Sequence, residues 1–182
     1  MSPAPLAVIQ FWRDEVGRAR WFDDDAALDA AIKGRFEPLW QRARDGALAR
    51  WEGTVEGALA LVIVLDQFPR NMFRGQADAF ATDPQALAAA RRAIAAGYDR
   101  RVPDLLRPFF YMPFMHAEDL AAQDECIALF TERLGPDTYN LPYARAHRDV
   151  IARFGRFPAR NAALGRASTL AETTYLESLT RR

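Results

Sequence analysis

Val55-Glu56-Gly57-Ala58-Leu59-Ala60-Leu61-Val62-Ile63-Val64-Leu65-Asp66-Gln67-Phe68-Pro69-Arg70-Asn71-Met72-Phe73-Arg74-Gly75 is the stretch whose reading decides the fold. From Ala58 to Leu65 it is apolar on every side, the pattern of a segment buried all round. Val62, Ile63 and Val64 alone suit a buried strand equally well. Thr54, a helix-capping residue, and the helical patterns on both sides select a helix, which is then the central one. Pro69 restricts Phe68 and is expected to stop that helix near Gln67, and Gly75 lets the chain turn away. Asp66, Gln67, Arg70, Asn71 and Arg74 are thereby delivered to the end of a buried element, where polar groups are costly unless hydrogen-bonded or paired.

Upstream, Leu6, Ile9, Trp12 and Val16 recur at helical spacing between Pro5 and Gly17. Asp23, Asp24 and Asp25 precede Leu28, Ile32, Phe36, Leu39 and Ala43, an acidic N-terminus for a second helix that Pro38 is expected to bend or divide. Downstream, Asp83-Pro84 reads as an N-cap followed by proline at the first helical position, with Gly97 as the stop. Pro103, Pro108 and Pro113 split the next stretch, so Phe109 to Met115 is expected as a broken helix packed into the core. Leu120 to Leu134 forms a helix that His116 can cap, and a helix opened by Pro142 carries Tyr143, His147, Val150, Ile151 and Phe154 on one apolar face. Thr169-Leu170-Ala171-Glu172 has capping-box spacing ahead of a last helix expected to bury Tyr175, Leu176 and Leu179.

No stretch alternates as a strand, so the fold class is all-α: a single-domain antiparallel helical array over residues 1–182. With 24 basic and 24 acidic residues no global field favours nucleic acid or an anionic membrane. The apolar run of Ala58 to Leu65 is far short of the ~20 residues a membrane span requires. Cys126 is the only cysteine, which excludes an internal disulfide and a cysteine-based zinc site, suits a reducing compartment, and reads as a small core residue. A cytoplasmic protein is the expectation, with no membrane partner, no nucleic acid, no metal and no cofactor.

Leu65-Asp66-Gln67-Phe68-Pro69-Arg70-Asn71, Phe80-Ala81-Thr82-Asp83-Pro84, Pro113-Phe114-Met115-His116-Ala117-Glu118-Asp119 and Phe154-Gly155-Arg156-Phe157-Pro158, taken in this order, resemble the bacterial domain-of-unknown-function family numbered 924. Phe11-Trp12, Arg160-Asn161, Leu164-Gly165-Arg166 and Ser168-Thr169 extend the resemblance over nearly the whole chain. It implies a tetratricopeptide-like helical fold, although no 34-residue repeat is visible, and it implies no activity. The chain departs from the family's usual pattern at Ala117, where serine is common, at Ala159, where histidine is common, and at Leu170-Ala171.

One internal echo stands out: Phe68-Pro69-Arg70-Asn71 before Gly75 matches Phe157-Pro158-Ala159-Arg160-Asn161 before Gly165, a hint of paired helical units. The candidate site is therefore Asp66, Gln67, Arg70, Asn71 and Arg74 with Arg160 and Asn161 from the matching turn, and His116, Glu118 and His147 beside apolar runs. If they converge they form a mixed-charge cleft for a small polar or anionic ligand, or a peptide, because arginine offers forked donors and asparagine amide donors. The purely structural alternative pairs Asp66 with Arg70 and uses the amides to satisfy helix ends. A third possibility is an enzyme, with His116 or His147 oriented by Asp66 or Glu118 for acid-base chemistry, but neither a nucleophile elbow nor two-histidine zinc spacing accompanies it. A binding module is preferred over both.

Overall fold

Helices and turns account for the regular structure throughout, and no strand occurs among residues 4–180, the residues described by the computed structural model. The backbone gathers into two compact units, one holding the chain through Arg74 together with Asp78–Pro113, the other holding Gly75–Ala77 and the chain from Phe114 onward.

In the first unit, α1 (Pro5–Gln10) widens into a π-helical turn over Phe11–Val16. It is followed by α2 (Ala26–Arg44), α3 (Val55–Val62), α4 (Phe68–Met72), α5 (Asp83–Ala95) and the greater part of α6 (Pro108–Met115). α3 is the hub, packing against both α1 and α5, while α2 packs against α4. Every residue of α3 except Glu56 is buried, as the all-round apolarity of that stretch requires. Around it Trp12, Phe36, Phe68 and Phe109 are sealed from solvent, with Phe36 and Phe68 at 4.7 Å between ring centroids and Trp12 at 5.7 Å from Phe68. Phe109 to Met112 are buried as well, so the aromatic run is core.

Proline behaves differently from expectation at three places. α2 runs unbroken through Pro38, with Asp25 capping it through bonds from the Ala27 and Leu28 amides; an exposed proline forfeits one ladder bond, and the burial of Phe36, Leu39 and Trp40 around it holds the helix together. Pro113 lies inside an unbroken α6, whose flanking residues are likewise buried. Pro69 does not stop the central helix. Over Ile63–Gln67 the turn widens to the π form, Phe68 N–H bonds the Ile63 carbonyl five residues back, and helical geometry resumes as α4 with Pro69 in its first turn. Proline has no N–H to return to the Leu65 carbonyl, and the Thr82 hydroxyl donates there instead at 2.6 Å while accepting from Trp40 Nε1 at 3.1 Å. α5 accordingly begins one residue earlier than the sequence suggested: Thr82 is the cap position, and Asp83 is the first helical residue, with its carboxylate turned to Arg70. The apolar stripe of α1 also starts later than expected, because Leu6 is exposed.

The second unit contains α7 (Leu120–Leu134) packed on α8 (Leu141–Phe154), and α9 (Leu170–Thr180) packed on the turn Pro158–Arg160. The cap of α7 is Asp119, which accepts from the Ala122 amide, and not His116. Cys126 is fully buried, and that burial pushes its thiol up to about 12. The Thr169–Glu172 capping box forms in both directions, at 2.7 and 3.2 Å. α9 differs from expectation in what it buries: Leu179 is exposed, Tyr175 and Leu176 are half-buried, and the buried residue is Glu172. No helix among the described residues is long and apolar enough to cross a membrane.

Gly57 is the tightest point of the hub. A Cβ there would lie 2.0 Å from the Trp51 carbonyl oxygen and 2.8 Å from the Thr54 hydroxyl that caps α3. Gly57→Ala is expected to destabilise by about 3 kcal/mol, since backbone must move to admit the methyl. Gly34→Ala, on the exposed side of α2 with nothing within 4 Å, is expected to stabilise by about 0.5–1 kcal/mol. Urea denaturation of the two variants checks both signs.

Candidate functional site

Five of the ten candidate residues lie in the first unit, where α3, α4, α5 and α2 bring them to one place. Asp66 is fully buried. Its Oδ2 accepts from Gln67 Nε2 at 2.6 Å, and its Oδ1 lies 3.3 Å from Arg70 Nη1. The same Arg70 Nη1 donates to the Asp66 carbonyl at 2.6 Å, and the two ends of the guanidinium fork meet Asp83 Oδ1 and Oδ2 at 2.9 and 3.0 Å. Burial disfavours the Arg70 charge, and Asp66 and Asp83 more than offset that, so the arginine is held firmly protonated. Gln67 also reaches the Met112 sulfur at 3.4 Å.

One turn further on, Asn71 Nδ2 donates to Asp29 Oδ1 at 2.8 Å and Arg74 grips both oxygens of the same carboxylate at 2.7 and 3.0 Å. The sequence suggested the Asp66–Arg70 pair from its four-residue spacing, and the structure contains it. Asp29 and Asp83 were not identifiable: both are acidic residues in the first turn of a helix, where the helix dipole already accounts for them.

The other five candidates lie in the second unit. Glu118 accepts from Arg166 Nη1 and Nη2 at 2.6 and 2.9 Å and from the Phe157 amide at 2.7 Å, so both its oxygens brace the loop after α8. Burial by itself would raise the Glu118 carboxyl; the Arg166 and Phe157 bonds outweigh it and hold the group below its ordinary range. Asn161 is buried, donating to Ser168 Oγ at 3.0 Å and to Glu172 Oε2 at 3.4 Å, and accepting from Arg166 Nε at 3.0 Å. Glu172 in turn receives Arg156 through both oxygens, at 2.7 and 2.9 Å. The echo between the two turns is thus chemical as well as sequential: in each, the asparagine donates to a carboxylate that a second arginine also grips, Asp29 with Arg74 and Glu172 with Arg156.

His116, His147 and Arg160 form a different arrangement. All three are half-buried. The imidazoles stand 6.4 Å apart between centroids, His147 lies 5.4 Å from the Phe157 ring, and the Arg160 guanidinium sits over that ring at 4.5 Å while donating to the His116 carbonyl at 2.9 Å. His147 Nδ1 lies 2.9 Å from the Tyr143 carbonyl, an acceptor only, which places a proton on Nδ1 and leaves Nε2 as the acceptor nitrogen of the neutral ring. Phe157 and Tyr143 belong to this group and were not among the candidates, because aromatic residues at helical spacing read first as core. No group of three or more metal-ligating side chains with metal-site geometry occurs among the described residues.

A family model described as a bacterial protein of unknown function (DUF924) matches residues 8–179. A solved structure of a protein of unknown function from Agrobacterium tumefaciens is similar to this chain with a TM-score of 0.90 at 45% identity, covering 96% of this chain and 97% of that one. No curated protein matches.

Removing Arg70 strands a buried carboxylate. Arg70→Ala is expected to cost about 3 kcal/mol, the low end for a broken buried pair because 21% of the arginine side chain is exposed, and Asp83→Asn less, since Asp66 keeps its partner; chemical denaturation midpoints of both variants test this ordering. Glu172 yields a pH prediction. Hydrogen bonds from Arg156, then the Thr169 amide, lower its carboxyl from an ordinary 4.5 to about 2. A carboxylate depressed in the folded state stabilises fully above its unfolded value, and that contribution is lost as pH falls from about 4.5 toward about 2. Glu172→Gln should therefore flatten the stability-against-pH curve in that window; an unchanged acid limb would contradict the assignment.

Proposed function

The chain belongs to this bacterial family of unknown function, and from that premise we propose that it is a ligand-binding module whose site is the half-exposed His116–His147–Phe157–Arg160 cluster of the second unit, taking a small anion. The observation that carries the reading is the placement of Arg160. Its guanidinium lies over the Phe157 ring at 4.5 Å and donates to the His116 carbonyl, with part of its surface open to solvent. An arginine placed over a ring and held by a carbonyl is oriented in advance, so it loses little freedom when a carboxylate or phosphate arrives. The two imidazoles, 6.4 Å apart between centroids, stand in the same group.

Chemistry also separates this cluster from the other candidates. The arginines at Arg70, Arg74, Arg156 and Arg166 are each engaged by carboxylates, the arrangement of a structural network that balances its own charge. Asp66, Gln67, Asn71, Glu118 and Asn161 serve those networks, and in this reading they support the fold rather than touch the ligand. A tetratricopeptide-like origin of the helix pairs accords with this reading without contributing a contact to it.

Isothermal titration calorimetry with inorganic phosphate and with succinate tests the proposal. Binding by the wild type that weakens at least about tenfold in Arg160→Ala, in line with the loss of a charge-assisted hydrogen bond, is the expected result. Arg160→Lys keeps the charge but not the flat fork and should fall between the two. Binding indifferent to Arg160, His116 and His147, or no binding of either anion, defeats the reading.

A further inference from the structure

Tyr139, in the turn before α8, and Tyr143, in the first turn of α8, are two large rings left in solvent, 59% and 49% exposed. Tyr143 and His147 are four residues apart on α8 and so share one face of it. The tyrosines are not independent. Their ring centroids are 5.3 Å apart with an interplanar angle of 47°, and their hydroxyls are hydrogen-bonded at 3.1 Å. The Tyr143 carbonyl accepts from His147, whose ring lies 5.4 Å from Phe157, the ring that Arg160 also covers. Single exposed aromatics call for no explanation, but a pair tied together by its hydroxyls and continuous with a cationic cluster is a pre-organised stacking surface. The hydrogen bond with Tyr139 raises the Tyr143 phenol above its ordinary value, so that ring remains neutral and presents an uncharged face.

We infer that the Tyr139–Tyr143 pair is the ring-binding half of the same site, and that the ligand is a small anion carrying a planar aromatic ring, in the class of aryl phosphates and nucleotides. The inference rests on the anion-binding reading of the Arg160 cluster. In this arrangement the charged group of the ligand meets Arg160 and the imidazoles, and the ring lies against the tyrosines one or two helical turns away. A stacked aromatic contact of this kind raises affinity by about tenfold.

Titrations of inorganic phosphate and phenyl phosphate, run side by side, separate the two claims. The wild type should bind phenyl phosphate about tenfold more tightly than inorganic phosphate. Tyr139→Ser combined with Tyr143→Ser should bring phenyl phosphate to the level of inorganic phosphate without altering the latter, while Tyr143→Phe, which keeps the ring, retains most of the difference. Both tyrosines are exposed, so the variants should fold, and circular dichroism and Tm confirm it. Arg160-dependent binding of inorganic phosphate with no preference for the aryl ester overturns this inference and leaves the anion site standing. Failure of both ligands overturns both. If the double variant leaves the affinities unchanged and converts a dimer to a monomer in sedimentation, the pair is a contact between copies and the inference falls.

Discussion

The constraint on which the first unit depends is the backbone at the end of α3, where the helix carries its hydrogen bonding past a proline. Pro69 cannot donate to the Leu65 carbonyl, and a buried carbonyl without a partner is costly. The widened turn over Ile63–Gln67 keeps the chain helical, and the Thr82 hydroxyl, itself held by Trp40, closes the gap at Leu65. That single substitution of a side-chain donor for a backbone one ties α2, α3 and the start of α5 together. It also positions Asp83, the next residue, for Arg70, which also meets the Asp66 carboxylate and carbonyl. The charged residues at this point follow from the backbone problem: an apolar hub must end somewhere, and here it ends by exchanging carbonyls and carboxylates with one arginine.

The second unit meets a similar problem with the same chemistry. Its Phe-Pro turn is held by Asn161 and by two arginine–glutamate pairs, Arg156 with Glu172 and Arg166 with Glu118. Glu172 combines two duties, closing the capping box of α9 and accepting Arg156, and is buried as a consequence. The His116–Arg160 region differs in its make-up, since a cation, two imidazoles and the Phe157 ring gather there with part of the surface open to solvent.

How much of this was legible depended on the range of the physics involved. Local rules worked: Thr54 and Asp25 cap where their side chains allow, the Thr169–Glu172 box closes, and the Asp66–Arg70 spacing is an ion pair. Local rules also misled where packing overrides them. Proline breaks isolated helices, yet Pro38 and Pro113 sit in continuous ones because their neighbours are buried strongly enough to hold the geometry. His116 was a reasonable cap for α7 until Asp119 took the position, a carboxylate being the better acceptor.

The amino-acid sequence by itself determined the all-helical class, the central place of Val55 to Gln67 and membership of its family, because apolar periodicity and motif order are properties of the chain alone. Tertiary structure decided which acids answer which arginines. Arg70 with Asp83, Arg74 with Asp29 and Arg166 with Glu118 join residues between 13 and 48 positions apart, and a charge in a first helical turn looks the same in sequence whether it faces water or a guanidinium. The grouping of His116, His147, Phe157 and Arg160 has the same origin: the first two and Arg160 were candidates by residue type, but only the packing in the second unit sets their rings and charges beside Phe157.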